Sequence, residues 1–260
     1  MTRTLAFIQA RCSSRRLPGK VLADLGGRPM ILSMIDRVAR AQHLDGIVLV
    51  TSEDESDDEL AACVEAQGTP VFRGALDDVL ARFHGAATAY PADHYVRLTG
   101  DCPLMDPTLI DAVINLHHAQ GTDYCSNVAP PTFPDGMDVE VFTSALLRRA
   151  HAEARMPVER EHVSYWMYTT AAPQLRMANH SFLGDCSHIR LTVDYPDDLD
   201  LVRTLWSRLD APLTADLFDL LRLLQADSTL RATNPHLRNE GLVTMPPEQN
   251  GAPGAEGESG

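Results

Sequence analysis

Short apolar runs alternate with segments of helical periodicity through the first half of the chain, and this alternation constrains the fold most. The runs at residues 5–8, 47–50, 71–72 and 95–98 have the length of buried strands. Helical patterns follow them at residues 30–41, 57–67, 76–89 and 108–119. This β-α-β-α order predicts an α/β fold with a Rossmann-like, mostly parallel sheet and helices on both faces.

The second half of the chain is less regular. Its patterns predict strands at residues 123–126, 139–142 and 189–193, and helices at residues 144–154, 159–168 and 197–209. From residue 234 onward the sequence is rich in Pro, Gly, Glu and Asn, which is typical of disorder. We therefore predict one domain over residues 1–233, with an insertion around 123–180, and a disordered tail over 234–260.

Composition excludes several classes of partner. The formal net charge of −14 argues against a nucleic-acid or anionic-membrane surface. The five cysteines are widely spaced and form no Cys-x-x-Cys pair, which favours reduced thiols and a cytoplasmic location. No apolar stretch is long enough to span a bilayer or to form a signal peptide. We expect neither nucleic acid nor a membrane as a partner.

The segment after the first predicted strand concentrates positive charge. Lys20 is the only lysine among 22 basic residues, and Arg11, Arg15 and Arg16 lie just before it. Ligands of α/β sheets bind at the carboxyl ends of strands, and a compact ammonium suits contact with phosphate. The spacing is neither that of a P-loop nor that of a dinucleotide fingerprint. The segment predicts an anion-binding loop, with a solvated basic loop as the alternative.

Two aspartates follow predicted strands farther along the chain. Asp101 comes after the run at 95–98, and Asp194 after the run at 189–193. A carboxylate beside a triphosphate is repulsive unless a cation lies between them, and Mg²⁺ binds few carboxylates while bridging phosphates. The pair therefore predicts an Mg²⁺ site. The alternative for Asp101 is a cap for the turn before Pro103.

Further polar residues suggest a pocket for a second substrate. Asp138 and Glu140 stand two apart, on one face of the strand predicted at 139–142. A turn is at least as good an explanation for Asp135, and a helix cap or core position nearly as good for His162. The predicted pocket consists of Asp135, Asp138, Glu140, Arg160 and His162. We interpret His84, His117 and His118 as surface residues.

Together these motifs resemble the cytidylyltransferase family that activates acidic sugars, which includes the 3-deoxy-manno-octulosonate cytidylyltransferases. Residues 10–20 match its opening signature, Ala-Arg-x-x-Ser-x-Arg-Leu-Pro-Gly-Lys. The branch typified by the spore-coat polysaccharide protein SpsF is the most similar. Its motifs match residues 72–74, 78–80, 101–104, 133–140, 160–163 and 190–194.

The resemblance implies a fold of the nucleotide-diphospho-sugar transferase type, with a small inserted subdomain. It implies transfer of CMP from CTP to a small anionic acceptor, release of pyrophosphate, and often a homodimer. Arg11 and Lys20 would be catalytic, holding the CTP phosphates, and Asp101 and Asp194 would hold Mg²⁺. The nucleotide would also contact Ala10, Ser14, Arg16, Arg73 and Asp78. Cys102 replaces a glutamate of the octulosonate enzymes, so the acceptor is expected to differ from theirs.

Two other functions stay open at this point. A glycosyltransferase that uses a nucleotide sugar also places carboxylates and Mg²⁺ at strand ends, although no Asp-x-Asp pair accompanies Asp101. A non-catalytic nucleotide-binding protein is the second alternative, and the retention of Lys20, Asp101 and Asp194 together argues against it. The transferase releases pyrophosphate only when CTP and an acceptor are both present. This requirement distinguishes it from the glycosyltransferase and from the non-catalytic protein.

Overall fold

The computed structural model describes residues 2–230, and a seven-stranded sheet forms its centre. The strands are β1 Thr4–Gln9, β2 Gly46–Ser52, β3 Val71–Gly74, β4 His94–Thr99, β5 Tyr124–Ser126, β6 Glu140–Thr143 and β7 Met177–Asn179. Their order is β3-β2-β1-β4-β6-β5-β7. The first four are parallel, β6 runs antiparallel to β4 and β5, and β7 is parallel to β5. The predicted α/β fold with a mostly parallel sheet is confirmed.

Helices cover both faces of the sheet. They are α1 Met30–Val38, α2 Asp58–Glu65, α3 Val79–Ala89, α4 Pro107–Gln120, α5 Ser144–Glu153, α6 Pro157–Glu161, α7 Tyr165–Tyr168, α8 Pro196–Arg208 and α9 Leu217–Ala226. Along β1, Ala6 and Ile8 join the core formed with α1, α4 and α8, whereas Leu5 and Phe7 join the core formed with α3 and α5. Full burial of such side chains contributes about 1.5–3 kcal/mol each, which explains why the run is apolar on both faces.

The strand predicted at residues 189–193 is wrong. Only Arg190 forms a bridge, with Asp135, and the segment lies outside the sheet. Leu191 and Val193 are buried in the core, which accounts for the apolar pattern. Their backbone N–H groups donate to the carbonyl oxygens of Asp135 and Asp101, at 2.7 and 2.8 Å, rather than to a neighbouring strand. Asp194 therefore ends an extended segment, not a strand of the sheet.

Two further predictions need correction. The helix predicted at 159–168 is divided into α6 and α7, because Val163 has a φ of 23°, which no α-helix accommodates. His117 is buried rather than on the surface, with its ring nitrogens 2.7 Å from the Thr122 hydroxyl and 2.8 Å from the His94 ring. Helix α9 and strand β7 were not predicted.

The region around 123–180 supplies β5, β6 and β7 to the central sheet. The proposed domain limit at residue 233 and the insertion remain predictions, and the tail over 234–260 lies outside the described residues. All five cysteines are free thiols. Within residues 2–230, none of the helices combines the length and the apolar character that crossing a membrane requires.

Candidate functional site

The basic loop after β1 folds back on itself. The backbone N–H groups of Ser14 and Gly19 both donate to the Cys12 carbonyl, each at 2.9 Å. Gly19 has a φ of 70°, which glycine adopts without steric cost. The Cys12 N–H donates to the buried carboxylate of Asp57, at 2.6 Å, which ties the loop to the end of β2. The chain then enters a short 3₁₀ helix that begins at Lys20.

Lys20 is where three separate sequence segments meet. Its ammonium Nζ lies 2.9 Å from Asp101 Oδ2, 2.8 Å from Asp194 Oδ1 and 2.7 Å from the Val193 carbonyl oxygen. An ammonium has three N–H donors, so all three are used. Only 7% of the residue is exposed. The structure thus brings together the predicted loop lysine and the two predicted metal ligands.

Electrostatics keep Lys20 and Asp101 ionised. Burial alone would lower the pKa of Lys20, but the carboxylates of Asp101 and Asp194 outweigh it and raise that pKa. Burial would likewise raise the pKa of Asp101, yet the Lys20 ammonium lowers it to about 2. Lysine and aspartate therefore both carry charge throughout the neutral range.

Arg190, whose role the sequence did not reveal, orients Asp194. Its guanidinium lies 2.8 Å from Asp135 Oδ2, 3.0 Å from Asp194 Oδ2 and 3.1 Å from Asp198 Oδ1. Asp198 also accepts the Asp194 N–H at 2.9 Å, at the start of α8. The sequence did carry a signal for these ion pairs. Arg190 precedes Asp194 by four residues and Asp198 by eight, with a buried run between the arginine and the first aspartate. Asp135, predicted to contact the acceptor, is an ion-pair partner of Arg190.

The loop arginines differ in their contacts. Arg16 forms an ion pair with Asp194 Oδ1 at 2.7 Å and lies over the Tyr195 ring. Arg11 is half-buried, and within residues 2–230 it forms no ion pair or side-chain hydrogen bond. Its positive charge nevertheless helps to lower the pKa of neighbouring groups, after the larger effect of burial. The Arg11 guanidinium therefore keeps its donors for an incoming anion.

Ala10 and Ser14 shape the loop. Ala10 is buried beside Gly100, where an added Cβ would lie 2.7 Å from the Ala10 Cβ, so the ends of β1 and β4 approach closely. The Ser14 hydroxyl accepts the Leu17 N–H at 3.4 Å. The contacts of both residues with a nucleotide remain predictions.

Arg73 and Asp78 lie at the carboxyl end of β3, in structural contacts. Arg73 donates to the Ser52 carbonyl at 2.9 Å and pairs with Asp58 at 2.6 Å. Asp78 caps α3 by accepting the Ala81 N–H at 2.9 Å, and it pairs with Arg160 at 2.6 Å. Arg160 thereby links α6 to α3. Their contacts with nucleotide or acceptor remain predictions.

The remaining predicted acceptor residues lie around the start of β6. Glu140 is buried, forms an ion pair with Arg97 and accepts a hydrogen bond from the Tyr124 hydroxyl at 2.6 Å. Asp138 precedes β6 instead of sharing a strand with Glu140, and it is half-buried. His162 is half-buried, and its Nε2 atom has no hydrogen-bond partner within the described chain. Burial and Arg97 lower its pKa, so the imidazole is neutral at pH 7.

The carboxylate pair suits a magnesium ion. In the part of the chain that the structure describes, no three His, Cys, Asp or Glu side chains are arranged as a metal cage. Mg²⁺ is commonly held by one or two carboxylates, with phosphate oxygens and water completing its coordination. Asp101 and Asp194 already share one cation, the Lys20 ammonium, so they converge as this coordination requires. Cys102 is buried, which raises the pKa of its thiol and keeps it neutral.

Comparisons with known proteins found both sequence relatives and structural relatives. A family model for cytidylyltransferases matches residues 5–216. The chain is 33% identical over 232 residues to the spore coat polysaccharide biosynthesis protein SpsF of Bacillus subtilis, covering 86% of this chain and 95% of that protein. It is 27% identical over 243 residues to a 3-deoxy-manno-octulosonate cytidylyltransferase of an Anaeromyxobacter species, covering 79% and 97%. A solved cytidylyltransferase structure from Leptospira borgpetersenii matches with a TM-score of 0.85 at 30% identity, covering 91% of this chain and 99% of that one.

Proposed function

Because this chain belongs to the cytidylyltransferase family, we propose that it transfers CMP from CTP to a small anionic acceptor, with release of pyrophosphate. The convergence of Lys20, Asp101 and Asp194 beside the Arg11 loop carries this proposal. It combines cations for a triphosphate with carboxylates for a metal, at the edge of the sheet where α/β proteins bind ligands.

The chemistry is positioning and charge neutralisation. Arg11 and the loop backbone bind the triphosphate, and Asp101 and Asp194 hold Mg²⁺. When bound, the metal neutralises charge on the phosphate oxygens. An oxygen of the acceptor attacks the α-phosphorus of CTP, the bond to the β-phosphate breaks, and pyrophosphate departs. No covalent enzyme intermediate is needed, because alignment of the reactants and preorganised charge lower the barrier.

For the acceptor we propose an acidic sugar or a sugar phosphate. The names of the relatives support this class, since one is an octulosonate cytidylyltransferase and another a polysaccharide biosynthesis protein. The acceptor would lie beside Asp138 and the neutral imidazole of His162, above the buried Glu140–Arg97 pair. We further propose that the enzyme acts in the cytoplasm as a homodimer.

A pyrophosphate-release assay tests the proposal. CTP is offered with a panel of acidic sugars and sugar phosphates, with and without excess EDTA. We expect release that needs CTP, an acceptor and a divalent ion, and near-complete loss in Asp101→Asn and in Asp194→Asn. Asp200→Asn is the control, because Asp200 is exposed on α8 and its ion-pair partner Arg203 has no part in the proposed site. Wild-type turnover in EDTA would refute the metal site, and turnover of nucleotide sugars without CTP would favour a glycosyltransferase.

A further inference from the structure

Lys20 cannot contact a phosphate from the position that it occupies. Its three N–H donors are already used by Asp101, Asp194 and the Val193 carbonyl. A residue that binds the triphosphate during the reaction therefore has to release these partners first. The alternative is a lysine that only holds the fold together.

The position of the Lys20 ammonium between Asp101 and Asp194 also disfavours binding of a metal ion to these two carboxylates. Asp194 Oδ1 accepts from Lys20 and pairs with Arg16, and Asp194 Oδ2 pairs with Arg190. A divalent ion that bound Asp101 and Asp194 with the ammonium in place would lie a few ångströms from three cations. Like charges at that distance repel strongly in a partly buried site.

We propose that Lys20 is an exchangeable counter-ion, which holds Asp101 and Asp194 together in the nucleotide-free protein and moves onto the triphosphate when nucleotide and metal bind together. This inference rests on the proposed function. It gives the ammonium two successive anionic partners, first the two carboxylates and then phosphate oxygens. It also predicts that the metal enters with CTP and binds weakly alone.

The surrounding contacts allow this exchange without collapse of the site. Arg190 is anchored by Asp135 and Asp198, so it keeps its hold on Asp194 Oδ2 when the ammonium leaves. The Asp101 carbonyl stays fixed by the Val193 N–H at 2.8 Å. Lysine suits the moving role, because its charge is compact and its stem flexible, whereas arginine is a planar fork.

Binding of Mn²⁺, measured by the electron paramagnetic resonance signal of the free ion, tests the exchange. The variants are Lys20→Met, which removes the charge, and Lys20→Arg, which keeps it. Without nucleotide, we expect Lys20→Met to bind Mn²⁺ at least about tenfold more tightly than wild type, because one competing cation is gone. Lys20→Arg should stay close to wild type. Arg28→Met, which removes the cation that pairs with Asp36, controls for net charge.

The same titration with a non-hydrolysable CTP analogue separates the two proposals. With the analogue present, wild type should bind Mn²⁺ at least as tightly as Lys20→Met does, since Lys20 then stabilises the phosphates. Wild-type Mn²⁺ binding that needs the analogue, with no gain in Lys20→Met alone, would overturn the exchange and leave the proposed function standing. Absence of analogue-dependent Mn²⁺ binding in wild type would overturn both.

A second measurement uses the wild-type protein, in case Lys20→Met does not fold. Because Lys20 is the only lysine, selective ¹⁵N-lysine labelling gives one side-chain ammonium resonance that needs no assignment. We expect this resonance to shift when the CTP analogue and Mg²⁺ are added together, and to shift little with Mg²⁺ alone. A resonance that is unchanged by the complete ligand set would show that Lys20 stays on its carboxylates, and would overturn the exchange.

Discussion

Arg37 and Arg82 are almost completely buried, and their hydrogen bonding differs. All three nitrogens of Arg37 donate to carbonyl oxygens, those of Leu104, Met105, Pro212 and Ala215. Arg82 donates through Nη1 to the carbonyls of Ala75 and Leu76, while its Nε and Nη2 have no partner among residues 2–230. Burial lowers the pKa of each to about 10, so both stay cationic at pH 7. One arginine joins distant segments, and the other fixes a single loop.

This difference predicts unequal effects of the same substitution. Arg37→Met leaves four carbonyls without their donor and should cost about 3–5 kcal/mol of the free energy of unfolding. Arg82→Met removes two donors that are already unsatisfied, so we expect a cost of roughly 0–2 kcal/mol. Urea unfolding of both variants at pH 7.5 measures the two costs. An equal loss in the two would show that the unpaired nitrogens of Arg82 do not matter for stability.

His117 predicts a dependence of stability on pH. Burial, followed by His94 and His118, lowers its pKa to about 4, although Asp123 acts in the opposite direction. An unfolded histidine titrates at about 6.5. As the pH falls from about 6.5 towards 4, the unfolded chain takes up a proton that the folded protein does not, so stability is lost in that window. We expect a loss of about 1–2 kcal/mol between pH 7 and pH 5 from this residue.

The matched variant is His117→Gln, which cannot titrate. Urea unfolding of wild type and variant at both pH values isolates the histidine contribution from that of the other groups. The difference in free energy between pH 7 and pH 5 should be smaller in the variant. The same difference in both proteins would contradict the assignment.

At the scale of single residues, the sequence predicted the centre of the candidate site, where Lys20, Asp101 and Asp194 meet, because charge was unusual there. A lone lysine and two aspartates after apolar runs were enough to bring Lys20, Asp101 and Asp194 together in the prediction. Arg190 was missed because its ion pair with Asp135, 55 residues away in the sequence, depends on tertiary packing, and its short spacings to Asp194 and Asp198 were not recognised as ion pairs. Glu140 was predicted as a pocket residue, yet burial against Arg97 cannot be inferred from strand spacing.

At the scale of elements, apolar periodicity located the β1–β4 half of the sheet and its helices. It failed at residues 189–193, since burial of Leu191 and Val193 produces the same pattern as a strand. The local sequence does not show which segment this run pairs with, and in the structure it pairs with the loop around Asp135. The break between α6 and α7 was missed because Val163 has a positive φ, which no local sequence pattern predicts for a β-branched residue.

The contact between the extended segment at residues 189–193 and the loop around Asp135 depends on Gly136. Its φ is 100°, and an added Cβ would lie 2.6 Å from the Thr192 nitrogen and 2.7 Å from the Leu191 carbonyl carbon. Gly136→Ala should therefore push the segment that carries Asp194 away, lowering stability by about 2 kcal/mol or more and reducing turnover. Gly184→Ala is the control, since nothing lies within 4 Å of that position. Unchanged turnover and melting temperature in Gly136→Ala would contradict this.

At the scale of the whole molecule, α9 completes the core that α1, α4 and α8 share. Leu217 and Leu220 are buried, and the Leu217 N–H donates to Asp106 Oδ2 at 2.9 Å. Arg37 reaches the same region through the carbonyls of Pro212 and Ala215. The chain beyond the family match at residue 216 thus contributes to the fold through this helix.

Two truncations test where the folded domain ends. A chain that stops at residue 210 loses α9 and two of the Arg37 acceptors, so we expect its melting temperature to fall by roughly 10 °C or more. A chain that stops at residue 233 keeps α9 and should retain both the melting temperature and the affinity for CTP, because the composition of 234–260 offers little apolar surface to bury. Calorimetry of both chains measures the melting temperature, and titration with CTP measures the affinity. If only the chain that stops at residue 210 loses stability, the stabilising contacts of the C-terminal region lie in α9. If both chains lose stability, the folded domain extends past residue 233.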